Sequence, residues 1–352
     1  WDTDNDSATG DDVFTRGTFT SGQFSTFLEF EGLGGDDSFT GVVGRSTRIS
    51  YLRSPAGVTV DLETGTAQDG FGGTDTITDI FQVRGSNFDD TLLGSNSSEF
   101  EQFRPRGGDD FIDGRGGAQD EVRYSGARTG VTIDLSAGAT VTFADGFGGT
   151  DTITNIERLR GTNFRDNLTG DANDNRLTGQ AGDDTLIGGG GADRLLGEDG
   201  NDFLDGGTGA DTLQGGNGDD RLVFDAADAT IDGGSGSDTL VVNDGGVIDA
   251  AALANTTSIE EIDLAASGTL SITAAEVAAL SDTDTLTVTG DSAVTSTDTW
   301  IAAGTVTRIG ATFNKFTFDS STLLIETGID AAGIVDSGPP AVTAPSSLGA
   351  LG

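Results

Sequence analysis

Three observations predict the fold class. An aliphatic side chain returns at a fixed nine-residue spacing, glycine and aspartate hold set places within that register, and a longer block is duplicated upstream of it. Together they predict an all-β chain, a right-handed parallel β-roll or β-solenoid followed by a small β-rich C-terminal domain. The register is plainest from Gly161, where the chain reads GTNFRDNLT, GDANDNRLT, GQAGDDTLI, GGGGADRLL, GEDGNDFLD, GGTGADTLQ, GGNGDDRLV, FDAADATID and GGSGSDTLV. Position eight is Leu168, Leu177, Leu186, Leu195, Leu204, Leu213, Leu222, Ile231 and Leu240. Position six is Asp166, Asn175, Asp184, Asp193, Asp202, Asp211, Asp220, Ala229 and Asp238. By composition such a stretch passes for a solvated linker. A linker has no reason to keep an aliphatic register.

Each repeat divides into a six-residue turn and a three-residue strand. Glycine permits the positive φ and close backbone approach of a tight turn. The x-Leu-x end is a strand whose middle side chain points inward. Two repeats make one coil with a strand on each side, and stacked coils bury the leucines in a thin core. Strands so short gain stability only by repetition.

Residues 161–241 form this regular roll. Residues 1–160 read as an irregular, duplicated β-solenoid. DGFGGTDTIT occurs at 69–78 and again at 145–154, GVTVDL (57–62) matches GVTIDL (130–135), and RGSNFDDTL (84–92) matches RGTNFRDNL (160–168). Tyr51 and Tyr124 occupy matching places 73 residues apart, as do the turns Gly34-Gly35-Asp36-Asp37 and Gly107-Gly108-Asp109-Asp110. SATGDDVFT at 7–15 reads as the tail of a further unit. Val58, Val60 and Leu62, like Val131, Ile133 and Leu135, alternate as half-buried strands do. The tyrosines are expected in the core or in a stacking ladder, the phenylalanines as solenoid filling, and Arg104 and Arg106 in local salt bridges.

Residues 242–335 shift to Ala, Thr, Ser and Val and read as a β-rich domain with one helix. Thr273-Ala-Ala-Glu276 is a capping-box pattern that predicts a helix over 274–280. LTVTG, TVTRIG, FNKFTF and TLLIE read as strands. Residues 336–352 are rich in Pro and Ser and read as a flexible tail.

Composition narrows function. The chain has 352 residues, with 58 acidic and 18 basic side chains and a formal charge of -40. That excludes nucleic acid or an anionic membrane surface as partner and favours cations. There is no Cys, His or Met, so disulfides, thiolate or histidine catalysis and the usual zinc sites are excluded. No apolar run reaches the roughly 18 residues of a membrane span.

The aspartates then need a reason. In the coil arrangement, position-six residues 18 apart share one column, so Asp166, Asp184, Asp202, Asp220 and Asp238 form one and Asn175, Asp193, Asp211 and Ala229 the other. Neighbours in a column lie about 4.8 Å apart. Two bare carboxylates there repel by roughly 1 kcal/mol in water and several times more at lower effective dielectric. A hard divalent cation between successive turns reverses the sign. Calcium accepts six to eight oxygens in irregular geometry, whereas magnesium demands a strict octahedron. The alternative is a merely solvated polar face, and for the Asp36, Asp37, Asp109 and Asp110 turns both readings stay open.

GGTGADTLQ (206–214), GGNGDDRLV (215–223) and GGSGSDTLV (233–241) resemble the glycine-rich nonapeptide of RTX proteins, the hemolysin-type calcium-binding repeat. The duplicated units resemble those of large RTX surface and adhesin-type proteins. The resemblance implies calcium held by backbone carbonyls around the glycines together with the position-six aspartate. It places the metal ligands at Gly182, Asp184, Gly189, Gly191, Asp193, Gly200, Asp202, Gly207, Gly209, Asp211, Gly216, Gly218, Asp220, Gly234, Gly236 and Asp238. Sites are expected to join 184/202, 202/220, 220/238 and 193/211. Ala229 lacks a carboxylate, so the second column is expected to end at Asp211. GTNFRD and GDANDN lack the turn glycines, so the first coil is expected to bind weakly or not at all.

The resemblance also implies export as an unfolded chain by type I secretion from a Gram-negative bacterium and folding on calcium outside the cell or at its surface. The expected function is a non-enzymatic structural protein of the surface-layer, filament or adhesin kind, with no catalytic residues. Its expected partners are calcium ions, with self-assembly or a cell-surface polysaccharide besides. The alternative is the secretion and folding module of a longer secreted protease, lipase or polysaccharide-modifying enzyme.

Overall fold

The computed structural model describes residues 13–15, 27–31, 33–41, 46–243, 247–249, 251–264, 269–281, 283, 285–290, 293–308, 311–318, 321–326 and 329–336. Most of SATGDDVFT and all of 337–352 lie outside them. The chain is all-β and forms two compact units. One comprises residues 1–220 with 227–229, the other 221–226 with 230–352.

In the first unit the leucine register becomes two stacked columns. Leu168 pairs with Leu186 and Leu186 with Leu204 in one parallel sheet. Leu177 pairs with Leu195 and Leu195 with Leu213 in another. The 18-residue coil is thus the repeat of the structure, and every one of these leucines is fully buried. The second sheet also runs upstream through Arg158–Arg160, Glu121–Arg123, Gln102–Arg104, Gln82–Arg84 and Ser46–Ser50. The irregular and regular segments therefore share one ladder. In the duplicated blocks an antiparallel strand is inserted beside the parallel ones, Thr66–Gln68 against Thr74–Thr78 and Thr140–Ala144 against Thr150–Thr154.

The ladder reaches further than a three-residue strand. Thr185–Gly190 and Phe203–Thr208 each span six residues, and pairing continues through Gly189↔Gly207 and Gly190↔Thr208. In these six-residue strands only positions four to six leave the ladder, whereas Asn167–Thr169 and Arg221–Val223 keep the three-residue length. The glycine placement explains this. Position two has positive φ in Gly189, Gly207, Gly216 and Gly234, and position four in Gly182, Gly191, Gly200, Gly209, Gly218 and Gly236. At position two Gln180 (φ 88°) and Glu198 (φ 76°) adopt the same strained conformation. Their side chains are tied down, since Glu198 pairs with Arg160 at 3.1 Å and Gln180 Oε1 accepts from the Ser125 hydroxyl at 2.8 Å.

The second unit is a parallel ladder that turns antiparallel. Thr239–Val242, Glu261–Leu264, Thr285–Gly290 and Ser321–Glu326 pair in parallel, and Ala311–Phe318 then pairs antiparallel with Ser321–Glu326 and with Ala293–Arg308. The strands expected at LTVTG, FNKFTF and TLLIE lie in this ladder, as does TVTR of TVTRIG, whose last two residues lie outside the described ones. The helix is Ala274–Leu280, and its capping box is formed: Thr273 N–H donates to Glu276 Oε2 at 2.5 Å and Glu276 N–H to Thr273 Oγ1 at 3.4 Å. It buries Ala274, Val277 and Leu280.

A methyl group at Gly200 would collide with the Gly182 carbonyl oxygen, whereas one at Gly138, also at positive φ, meets nothing within 4 Å. Gly138→Ala should therefore cost only its backbone strain, about 1–3 kcal/mol. Gly200→Ala should cost clearly more. Urea unfolding of both calcium-loaded variants decides this, and equal costs would refute the close stacking of the turns.

Candidate functional site

Position six is a buried aspartate linked to the coil before it. Asp184, Asp193 and Asp202 are each 2% exposed. One carboxylate oxygen always has a backbone donor. Asp166 N–H donates to Asp184 Oδ1 at 2.7 Å, Asp184 N–H to Asp202 Oδ1 at 2.8 Å and Asp202 N–H to Asp220 Oδ1 at 2.8 Å. The other column repeats this from Asn175 to Asp193 at 2.7 Å and from Asp193 to Asp211 at 2.8 Å. An outer ladder runs the opposite way at position five. Asn201 N–H donates to Asp183 Oδ1 at 3.0 Å and Asp219 N–H to Asn201 Oδ1 at 2.8 Å.

The second oxygen differs. Oδ2 of Asp184, Asp193 and Asp202 is buried with no protein donor among the described residues. Each lies against the position-one glycine of its own repeat, Gly179, Gly188 and Gly197, where a Cβ would collide with it. Position-four carbonyls stack alongside, with Gly182 under Gly200 and Gly200 under Gly218. An unpartnered carboxylate oxygen, a second carboxylate one coil away and a column of inward carbonyls make an oxygen-only donor set. No cluster of three or more acidic side chains suited to a metal occurs among the described residues. The ligand shell must therefore be filled mostly by carbonyls. Calcium accepts such a shell.

Electrostatics points the same way. Burial pushes the Asp184 carboxyl up to about 8, with Asp166 and Asp202 adding repulsion. Burial likewise pushes Asp193 and Asp202 to about 6. Without a cation the folded chain binds more protons here than the unfolded chain, whose aspartates titrate near about 3.9. Its stability is then greatest below about pH 4 and is lost as pH rises through these folded values. In chelator, β-structure followed by circular dichroism should be greater at pH 5 than at pH 8. A flat or rising profile would contradict bare buried carboxylates.

Of the expected ligands, Asp184, Asp193, Asp202, Asp211 and Asp220 fall on these columns with Gly182, Gly189, Gly191, Gly200, Gly207, Gly209, Gly216 and Gly218 in the turns between. Asp238 is fully buried in the second unit, with Gly234 and Gly236 at positive φ in the same turn. At Ala229 the chain supplies only its backbone, its N–H donating to the Asp211 carbonyl at 2.8 Å.

The first coil is closed. Asp166 Oδ2 accepts the Thr162 N–H at 2.6 Å, and Oδ1 accepts the Thr162 hydroxyl at 3.0 Å and the Val131 N–H at 2.7 Å. Asn175 Oδ1 accepts the Asp171 N–H at 2.7 Å. Thr162 stands where Gly189, Gly207, Gly216 and Gly234 stand in later repeats, and its N–H and hydroxyl occupy the carboxylate. Ser86 does the same for Asp90, and Ser95 for Glu101.

The structure adds closures that sequence reasoning missed. The fully buried Tyr51 donates its hydroxyl to Asp75 Oδ2 at 2.8 Å, and Tyr124 to Asp151 Oδ2 at 2.9 Å. The core position expected for the tyrosines holds, but they also cap carboxylates. The signal was present, since both residues of the pair recur in the duplicated block. Two expectations need correction. Arg104 and Arg106 form no ion pair among the described residues: Arg104 Nε donates to Gln102 Oε1 at 3.1 Å, and Arg106 stacks over the Phe147 ring at 5.4 Å. Phe71, Phe88, Phe111 and Phe164 are exposed rather than solenoid filling. Phe88 and Phe164 sit at the position-four tip of turns that Ser86 and Thr162 close, where the side chain faces solvent.

Replacing Asp202 should shift the calcium midpoint of folding upward about tenfold, because it serves two coil junctions. Asp166→Asn should leave that midpoint unchanged. A calcium titration followed by circular dichroism reads both, and equal shifts would contradict the distinction between open and closed aspartates.

Comparison with known proteins fits this geometry. The RTX calcium-binding nonapeptide repeat, in its four-copy form, matches residues 160–195, 196–231 and 229–246. No curated protein matches the chain. Among solved structures, the extracellular lipase LipA from Serratia marcescens is similar at 15% identity with a TM-score of 0.15. The alignment covers 73% of this chain, and the chain spans 38% of the lipase's length.

Proposed function

From a chain that carries RTX calcium-binding repeats over residues 160–246, we propose an extracellular structural protein, of the surface-layer, filament or adhesin kind, that folds on calcium after type I secretion. The observation that carries this reading is the buried, donor-less Oδ2 of Asp184, Asp193 and Asp202. A buried unsatisfied polar group costs about 1–3 kcal/mol, more when charged. Several in register oppose the bare fold, and self-repulsion from a net charge of -40 adds to that.

Calcium inverts the balance. Extracellular calcium modules bind at roughly 10⁻⁴–10⁻³ M, far above cytosolic free calcium. The chain therefore stays largely unfolded inside the cell. Ion binding becomes folding free energy once calcium is abundant outside.

Calcium titration of the metal-free full chain tests this, with circular dichroism as readout. The expected result is a cooperative gain of β-structure at submillimolar to millimolar calcium, with magnesium much weaker. Complete β-structure already present in chelator would overturn it. A catalytic domain upstream in the full reading frame would instead make this chain the folding module of a secreted enzyme.

A further inference from the structure

The duplicated block contains turns built like the calcium-binding ones, outside the residues that match the repeat. Asp110 N–H donates to Asp151 Oδ1 at 3.1 Å, as Asp184 does to Asp202. Thr150 N–H donates to Asp109 Oδ1 at 2.8 Å, as Asn201 does to Asp183. A Cβ at Gly149 would collide with the Gly108 carbonyl, as one at Gly200 would with that of Gly182. One feature differs. Tyr124 has taken the Oδ2 of Asp151, so that oxygen already has a donor.

A new carboxylate enters in its place. Asp145 is fully buried. Its Oδ1 accepts the N–H groups of Phe147, Gly148 and Gly149, each at 2.8 Å, which fixes the side chain. Its Oδ2 has no donor among the described residues, and neither has Oδ2 of the buried Asp110. Asp145 Oδ2 and the Gly108 carbonyl oxygen lie on the same side of this turn, Oδ2 3.2 Å from where a Gly149 Cβ would sit and the carbonyl oxygen closer still. A cleft of about 520 Å³ lined by Asn87, Asp89, Gly108, Asp109, Arg128 and Gly149 opens beside this turn. The first copy repeats the construction. Asp69 Oδ1 accepts from Phe71, Gly72 and Gly73, and its buried Oδ2 without a donor lies 3.0 Å from a Gly73 Cβ stacked on the Gly35 carbonyl.

We propose that the two DGFGGTD turns form further calcium sites, one ligated by Asp110, Asp145 and the Gly108 carbonyl, the other by Asp69 and the Gly35 carbonyl. Each uses a carboxylate from just before the turn, where the repeats of 160–246 use the position-six carboxylate that a tyrosine occupies here. The duplication thus carries the ion column into the N-terminal half of the chain.

Terbium(III) tests this on the full chain. Tyr51 and Tyr124 are the only tyrosines, and residues 160–246 contain neither Tyr nor Trp. Emission sensitised through tyrosine therefore reports the two new sites and not the repeats. The expected result is sensitised emission that calcium displaces. D69N/D145N should reduce it at least tenfold, to the level of Y51F/Y124F, while the calcium-induced circular dichroism of the repeats persists. Absence of sensitised emission in the wild-type chain, or its retention in D69N/D145N, would overturn the proposal. Native mass spectrometry reads the same point independently. D69N and D145N should each bind one calcium fewer than wild type, and unchanged counts would overturn it. Failure of calcium-dependent folding would appear in circular dichroism alone and is distinguishable from either outcome.

Discussion

The buried position-six aspartate holds one coil to the next. Its Oδ1 takes the backbone N–H of the coil before, so the carboxylate is a structural staple as much as a ligand. Geometry then forces the remaining oxygen inward against a glycine α-carbon. A carboxylate held like this is paired or destabilising, because desolvation of an unpaired charge outweighs one hydrogen bond. The rest of the structure follows from what answers that second oxygen. The glycines at positions one, two and four are there because side chains would strike the carboxylate or the carbonyl of the neighbouring coil. The leucine core is thin because each coil contributes only one inward side chain per sheet.

The first unit answers the second oxygen in two ways. For Asp75, Asp90, Asp151 and Asp166 the protein answers it, with Tyr51, Ser86, Tyr124 and Thr162, while Asp69, Asp110 and Asp145 keep a buried oxygen without a donor among the described residues. In the regular repeats it leaves the answer to a cation. The difference is chemical and local, since the N–H and hydroxyl of one Thr or Ser at position two, or one tyrosine from a neighbouring strand, close a carboxylate. Closed and open carboxylates thus occur along one continuous ladder.

Much of this was legible in the residues because the register is physical. Position eight must be apolar to face the core, and position six carries the carboxylate that accepts from the coil before, so the two columns and their end at Ala229 could be read directly. Replacement of glycine by Thr162 marked the closed first coil. The six-residue strands were not legible, because the glycines that continue the ladder past position nine look like turn residues. The tyrosine caps were missed although both residues of the pair recur in the duplicated block, because Tyr51 and Asp75 lie 24 residues apart and meet only through the coil. The exposed phenylalanines misled for a related reason. An aromatic in a repeat suggests filling, but at position four of a hydroxyl-closed turn it points outward.

The most direct measurement is a crystal structure of the calcium-loaded chain with the ions located by anomalous scattering. The account predicts ions between the turns of Asp184 and Asp202, Asp202 and Asp220, and Asp193 and Asp211, each contacting Oδ2 and turn carbonyls, with none at Asp166 or Asn175. Ions absent from the open junctions, or bound equally at Asp166, would contradict it.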